Sequence, residues 1–226
     1  GLPTQATANG LWRRVSDLTV LGGTRSLLHS ARWFVPDAMR QATAWLNDSN
    51  RQAMLSTIGV GTIDQAEMGV LYTRFQTLRL VAMADKTLIV DEVHAYDSYQ
   101  CQVLKTLIQF QASVGASVIL LSATLPQQLR NEFVSNWLKG RKLPPRDVTS
   151  TSFPLLSYIT DTQAGQIPVE SQMSRTLDVS FVSSESAVLD LVRESLTEGK
   201  CVCWIRNTVD SAIQAYEQAR LITTDV

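Results

Sequence analysis

The chain has 226 residues, 45% of them apolar and 18% charged, with a net charge of −1. That length supports one large domain or one and a half smaller ones, and that apolar share can fill a core, which excludes a wholly disordered chain. The near-neutral charge excludes binding to nucleic acid by bulk basicity, and no apolar run approaches the roughly 20 residues of a membrane span. The three cysteines, Cys101, Cys201 and Cys203, do not suit a disulfide framework. Cys201-Val-Cys203 would place both thiols on one face of a strand, a core pattern rather than a metal site. A cytoplasmic location fits, and no secretory signal is expected at residue 1. Residues 1–90 carry nine Lys/Arg against six acids, and residues 91–226 carry eleven against fifteen. A surplus of three is a weak footprint, so any argument for nucleic acid rests on motifs.

In chain order, Gly1-Leu-Pro-Thr opens into a helix expected over 6–15. Thr4, Thr7 and Asn9 are short polar groups at a strand-to-helix turn, suited to phosphate oxygens without reading bases; ordinary helix capping is the plainer role. Leu18–Leu21 is a candidate strand, with Gly22-Gly23 a turn. Pro36 suits the first turn of a helix to Leu46. Met54–Val60 reads as a strand, and Gly59 and Gly61 permit close backbone approach. Thr62 and Asp64 then stand at a helix start, where Asp64-x-x-Glu67 has capping-box spacing. Thr62 could hold a phosphate, whereas Asp64, a carboxylate, suits capping.

Leu88-Ile-Val is a run expected to be a strand buried on both faces, as in a parallel sheet. It ends in Asp91-Glu92-Val-His94, the order of a Walker B element. Ligands of such sheets bind beyond the carboxyl ends of the strands. Asp91 can anchor Mg²⁺, which keeps waters and needs only one or two carboxylates. Glu92 can orient or deprotonate a water attacking a γ-phosphate. Ser98–Ser113 follows with Val103, Leu104, Leu107, Ile108 and Gln111 at helical spacing and Gly115 as a stop. Ser117-Val-Ile-Leu-Leu is a second buried run, ending in Ser122-Ala123-Thr124. Two such strands joined by a helix form a strand–helix–parallel-strand unit. In this order they have the pattern of a superfamily two helicase.

After Pro126, Leu129, Phe133, Val134, Trp137 and Leu138 predict a core-facing helix that Gly140 ends. Residues 144–174, rich in proline, read as a connection between domains. Beyond them Leu177, Val179 and Phe181 alternate as in a strand, a helix carries Ala187 to Leu196, and Lys200–Ile205 reads as a buried strand. Arg206, Asn207 and Thr208 sit at its end, and 209–219 reads as a helix. The expected organisation is a first domain over 1–143, the connection over 144–174 and the beginning of a second domain over 175–226.

Four segments resemble the CRISPR-associated helicase–nuclease family of type I systems, in the family's order: Leu2-Pro-Thr-Gln-Ala-Thr-Ala-Asn9, Val60-Gly-Thr-Ile-Asp-Gln65, Asp91-Glu-Val-His-Ala-Tyr-Asp97 and Leu121-Ser-Ala-Thr-Leu-Pro126. The resemblance is nearest to subtype I-E. It implies an α/β, RecA-like P-loop helicase fold and ATP-driven translocation on single-stranded DNA, coupled in the full-length protein to an HD-type nuclease and to an RNA-guided surveillance complex. It implies ATP and Mg²⁺ as cofactors, with Asp91 for the metal, Glu92 as base, and His94, Ser122 and Thr124 coupling nucleotide state to DNA. Thr4, Thr7, Asn9 and Thr62 are the implied DNA contacts, and Arg206-Asn207-Thr208 resembles the family's fourth helicase motif. No Gly-x-x-x-x-Gly-Lys-Ser/Thr loop and no His-Asp dipeptide occur in the 226 residues. The chain alone is therefore expected to hydrolyse ATP negligibly. The rivals are a superfamily two helicase of another kind, against which Ala95-Tyr96-Asp97 argues, and a non-catalytic module binding DNA or a partner.

Overall fold

A computed structural model describes residues 1–17, 22–31, 49–170 and 176–222. The strand expected at 18–21 and the helix at 36–46 lie outside the described residues. The chain divides into two compact units, 1–171 and 172–226.

In the first unit, α1 (Gln5–Ser16) leads to β1 (Arg25–Leu28), α2 (Asn50–Ala53), β2 (Ile58–Gly61), α3 (Ile63–Glu67), α4 (Gln76–Met83) and β3 (Leu88–Val90). A single 3₁₀ turn, Val93–Ala95, follows, and then α5 (Ser98–Ser113), β4 (Val118–Leu120), α6 (Gln127–Arg141), β5 (Leu155–Ile159) and β6 (Ala164–Pro168). β1 pairs with β2 in parallel, and β3 with β4 in parallel. Residues Gly1 and Leu2 stitch the two pairs together. Leu2 donates to the Gly61 carbonyl and accepts from Ile63, both at 3.0 Å, while Asp91 donates to the Gly1 carbonyl at 2.9 Å. The spatial order is thus β1, β2, residues 1–2, β3, β4, all running the same way, so the polar residues after each strand gather along one edge of the array.

Helices pack on both faces: Leu28 joins the main core, while its neighbour Leu27 joins the cluster under α1. Val90, Val93, Leu104, Leu107, Ile108 and Phe133 form the centre of the main core, together with Met54, Ala82 and Met83. Trp12 and Ala8 of α1 pack on Leu2, Leu27 and Val60 in a smaller cluster. The expectation that β3 is buried on both faces is corrected: Val90 is fully buried, but Ile89 is 49% exposed. Side chains alternate across a strand, and α1 covers the opposite face at β1, β2 and Leu2 but leaves Ile89 and Ile119 exposed. β2 is shorter than the strand expected over 54–60, because residues 54–57 turn before the ladder begins.

Two glycines are used for close approach. A Cβ on Gly61 would stand 2.3 Å from the Leu28 carbonyl oxygen, backbone that cannot move without parting β1 from β2. Gly61→Ala is expected to destabilise the unit by about 1–3 kcal/mol, as overpacking does; an unchanged urea midpoint would show that the two strands are not held this closely. Gly140 does not end its helix as expected. It lies inside α6 where a Cβ would be 2.3 Å from the Gln109 carbonyl oxygen and 2.7 Å from Ala112 Cβ, so it lets α5 and α6 touch. The helix ends at Lys142, whose left-handed backbone caps it.

The stretch 144–174, expected as a connection, carries the antiparallel β5–β6 hairpin, with Tyr158 opposite Gly165. Arg141 holds its turn: Nε donates to Asp161 Oδ1 at 2.8 Å and Nη2 to the second carboxylate oxygen. Arg146 donates to the Thr160 and Asp161 carbonyls. In the second unit, α7 (Glu185–Thr197) and α8 (Val209–Arg220) form as expected. The strands expected at 177–181 and 200–205 do not form. Strand geometry needs a partner's hydrogen bonds, and no such partner stands among the described residues. Leu177, Val179 and Phe181 are 80%, 80% and 100% exposed, and Cys201 and Cys203, expected in a core, are exposed. No helix of the described residues is long and apolar enough to cross a membrane.

Candidate functional site

The ends of β3 and β4 are locked to each other. Leu121 donates to the Val90 carbonyl at 2.8 Å, and Val93 donates to the Leu121 carbonyl at 3.1 Å. This crossing of bonds sets the Asp91–His94 turn directly beside Ser122–Thr124. Glu92 takes a left-handed backbone, φ 55° and ψ 43°, a conformation uncommon for a residue with a Cβ. It ends the strand abruptly and starts the 3₁₀ turn that returns His94 toward Glu92. Asp91 Oδ1 accepts from the Glu92 amide at 2.9 Å, which fixes its carboxylate, and the Tyr96 hydroxyl donates to the Asp91 carbonyl at 3.1 Å.

His94 is the junction. The Ala123 amide donates to Nδ1 at 3.3 Å, so Nδ1 is an acceptor and the proton of the neutral ring sits on Nε2. Nε2 stands 3.3 Å from Glu92 Oε2. Ser122 Oγ lies 3.3 Å from Nδ1 and donates its own proton to the Thr124 carbonyl at 2.6 Å. A hydrogen-bonded path therefore runs from the Glu92 carboxylate through the imidazole to the Ser122–Thr124 loop.

Asp97, next along the chain, caps α5: Oδ1 accepts from Gln100 N at 2.8 Å in a complete capping box. The spacing Asp-x-x-Gln carries that signal in the sequence. Tyr96 had no comparable signal, because its hydroxyl finds a carbonyl five residues back only once the 3₁₀ turn forms.

Three of the four expected phosphate contacts, Thr4, Thr7 and Asn9, have partners of their own. Thr4 Oγ1 accepts from Thr7 N at 3.2 Å and Thr7 Oγ1 accepts from the Thr4 amide at 3.3 Å, so the two form a capping box. Both residues are exposed. Asn9 Oδ1 lies 2.8 Å from His29 Nε2, while the Ala31 amide donates to His29 Nδ1. His29 is thus a satisfied buried histidine held by Asn9. Thr62 is buried to 8% exposure and its side chain makes no capping bond. Asp64 does not close the expected capping box with Glu67; it accepts from Gln65 Nε2 at 2.8 Å. Thr62, Gln65 and Asp91 line one cleft of about 700 Å³ together with Gly1, Leu2 and Leu121. In the second unit, Arg206 pairs with Glu185 at 3.0 Å and Thr208 caps α8.

Glu67 is a buried acid with no signal in the sequence. It is 5% exposed, and Oε1 has no hydrogen-bond partner. Burial, with Asp64 and Asp97 nearby, pushes its carboxyl up to about 7. Because the folded value lies above the unfolded one, the stability linked to its proton is complete below the unfolded value and is lost as pH rises through about 7. Glu67→Gln, which mimics the protonated form, is expected to raise the melting temperature at pH 8 and to leave it nearly unchanged at pH 5, where both side chains are uncharged. Equal shifts at the two pH values would mean that Glu67 is not titrating in the core.

One or two carboxylates plus phosphates hold Mg²⁺, and Asp91 fits that need: among the described residues Oδ2 meets no hydrogen-bond donor, and the side chain lines the open cleft. Among the described residues no group of three or more His, Cys, Asp or Glu could hold a metal by protein ligands alone.

No family model matches the chain. It is 30% identical to the CRISPR-associated nuclease/helicase Cas3 of Streptococcus thermophilus, over 92% of this chain and 26% of that one. It matches the crystal structure of T. fusca Cas3-ATP with a TM-score of 0.87 and 29% identity, over all of this chain and 28% of that one. It also matches a chain of a CRISPR RNA-guided surveillance complex, pre-nicking, with a TM-score of 0.64 and 26% identity, over 88% of this chain and 23% of that one. The parallel array with its flanking helices is thus a RecA-like helicase fragment, and the chain spans about a quarter of the length of the curated relatives it matches.

Proposed function

The chain is homologous to a segment of the CRISPR-associated helicase–nucleases, and from that premise we propose that it forms part of the motor core of an ATP-driven translocase on single-stranded DNA serving antiviral defence. The observation that carries the reading is the hydrogen-bonded path from Glu92 through His94 to the Ala123 amide, at the ends of two adjacent parallel strands.

In this reading Glu92 orients the attacking water and accepts its proton. His94, with its Nε2 proton directed at Glu92, reports the change of charge there to the Ser122–Thr124 loop. Asp91, fixed by the Glu92 amide, would hold Mg²⁺, which neutralises charge developing on the transferred phosphoryl group. Thr4, Thr7, Asn9 and Thr62 hold the DNA backbone in a sequence-independent, salt-sensitive way. Thr4 and Thr7 can do so while capping α1, since both residues are exposed. Arg206, Asn207 and Thr208 form the second unit's motif. The HD-type nuclease and the guide complex as partner belong to the full-length protein.

The test is DNA-stimulated ATP hydrolysis by this chain and by a version extended at both ends. Activity confined to the extended version supports a motor segment. Activity in neither, with DNA still bound, would instead indicate a non-catalytic binding module.

A further inference from the structure

The loop between α3 and α4 bears a cluster that the motif residues leave unexplained. Tyr72 is fully exposed, and its hydroxyl has no hydrogen-bond partner among the described residues. Phe75 is 53% exposed and sits in a left-handed backbone, φ 65° and ψ 25°. An aromatic residue is rarely held there, and such strain gathers at sites that use it. The Arg51 guanidinium lies over the Phe75 ring at 3.8 Å from its centroid. Arg74 is exposed between the two rings in sequence. Neither Arg51 nor Arg74 is in an ion pair with a described residue, and residues 68–84 contain no acid at all. Burial, and after it the nearby Arg51, disfavours the charge on Arg79. Arg79 itself donates to the Gln65 carbonyl at 2.8 Å, which ties the start of α4 to the helix that Thr62 opens.

We propose that Tyr72, Phe75, Arg51 and Arg74 form a stacking platform for unpaired bases of single-stranded nucleic acid, continuing the strand's path beyond Thr62. The chemistry favours this ligand. Bases stack on exposed rings whatever their identity, and guanidinium groups without counterions meet the phosphates. The inference rests on the DNA reading above, and its test separates the two.

The 226-residue chain is titrated into a labelled oligothymidine of about 15 nucleotides, into an abasic strand of the same length and into a duplex, followed by anisotropy. The wild type is expected to prefer the oligothymidine over the abasic strand. Tyr72→Ala, and Phe75→Asn, which tolerates the left-handed backbone, should each weaken oligothymidine binding at least about fivefold. Both should leave abasic and duplex binding within a factor of two. Arg74→Ala should lower the salt slope by about 0.7. Wild-type binding to oligothymidine with no loss in Tyr72→Ala or Phe75→Asn would overturn the platform, and so would equal losses on all three ligands. No binding by the wild type to any of them would instead overturn the DNA reading on which the platform rests.

Discussion

Glu92→Gln in the full-length protein is expected to keep nucleotide binding and to lower ATP turnover by about two to four orders of magnitude, the range that a positioned general base contributes. The substitution preserves volume, and its amide oxygen can still accept the His94 Nε2 proton across the 3.3 Å gap. Neither the left-handed backbone at residue 92 nor the bond from its amide to Asp91 Oδ1 depends on the Glu92 side chain's charge. Only the capacity to take a proton is removed. A fall in turnover without a fall in binding therefore isolates the chemistry from the fold. Turnover at the wild-type rate would take Glu92 out of the base role and leave the path through His94 as a structural link alone. His94→Gln separates the two steps further: the base would remain, so basal hydrolysis should survive while its stimulation by DNA falls.

The second large effect lies beneath the site. Leu107, fully buried on α5, belongs to the core shared with Val90, Val93 and Phe133. Leu107→Ala is expected to destabilise the first unit by about 2–5 kcal/mol, from lost burial plus the cavity left behind. That is a large part of the roughly 5–15 kcal/mol by which a domain is stable. The measurement is urea unfolding, with a lowered midpoint and an unchanged slope. Gln102→Ala on the exposed side of the same helix is expected to stay within about 0.5 kcal/mol. Similar results for the two variants would mean that the helix does not face the sheet as described. α5 joins β3 to β4, so loosening it should also blur the register that brings His94 to Ser122.

Much of the first unit was legible before any coordinates. Ser98–Ser113 reads as a helix because its apolar residues repeat at helical spacing, and it is one. Leu88–Val90 and Val118–Leu120 read as strands ending in functional groups, and their parallel pairing follows from the helix between them. Gly140 shows where reading failed. A glycine near a helix end has the same appearance whether it terminates the helix or lets another helix approach, and only the nearness of Gln109 and Ala112 decides. The strands expected in the second unit failed for a related reason. Alternation at Leu177, Val179 and Phe181 states a preference, but a ladder needs a neighbour. The β5–β6 hairpin was hidden because Pro154 and Pro168 at its ends signal irregular chain, while Tyr158 and Gly165 become partners only across the turn.

The sequence by itself determined the fold class, the order of the motifs and the residues that carry charge beyond the strands, because periodicity, caps and strand-end acids are local signals, read over a few neighbouring residues. What the tertiary structure alone decided is which polar groups meet. His94 to Glu92 and Ser122, Asn9 to His29, Tyr96 to the Asp91 carbonyl and Arg51 over Phe75 all depend on strand register and turn conformation. So does the burial of Glu67, an acid at a helix position with no local mark to distinguish it from a solvated one. Pairing across tens of residues is set by how the core closes, and no single stretch of chain contains that information.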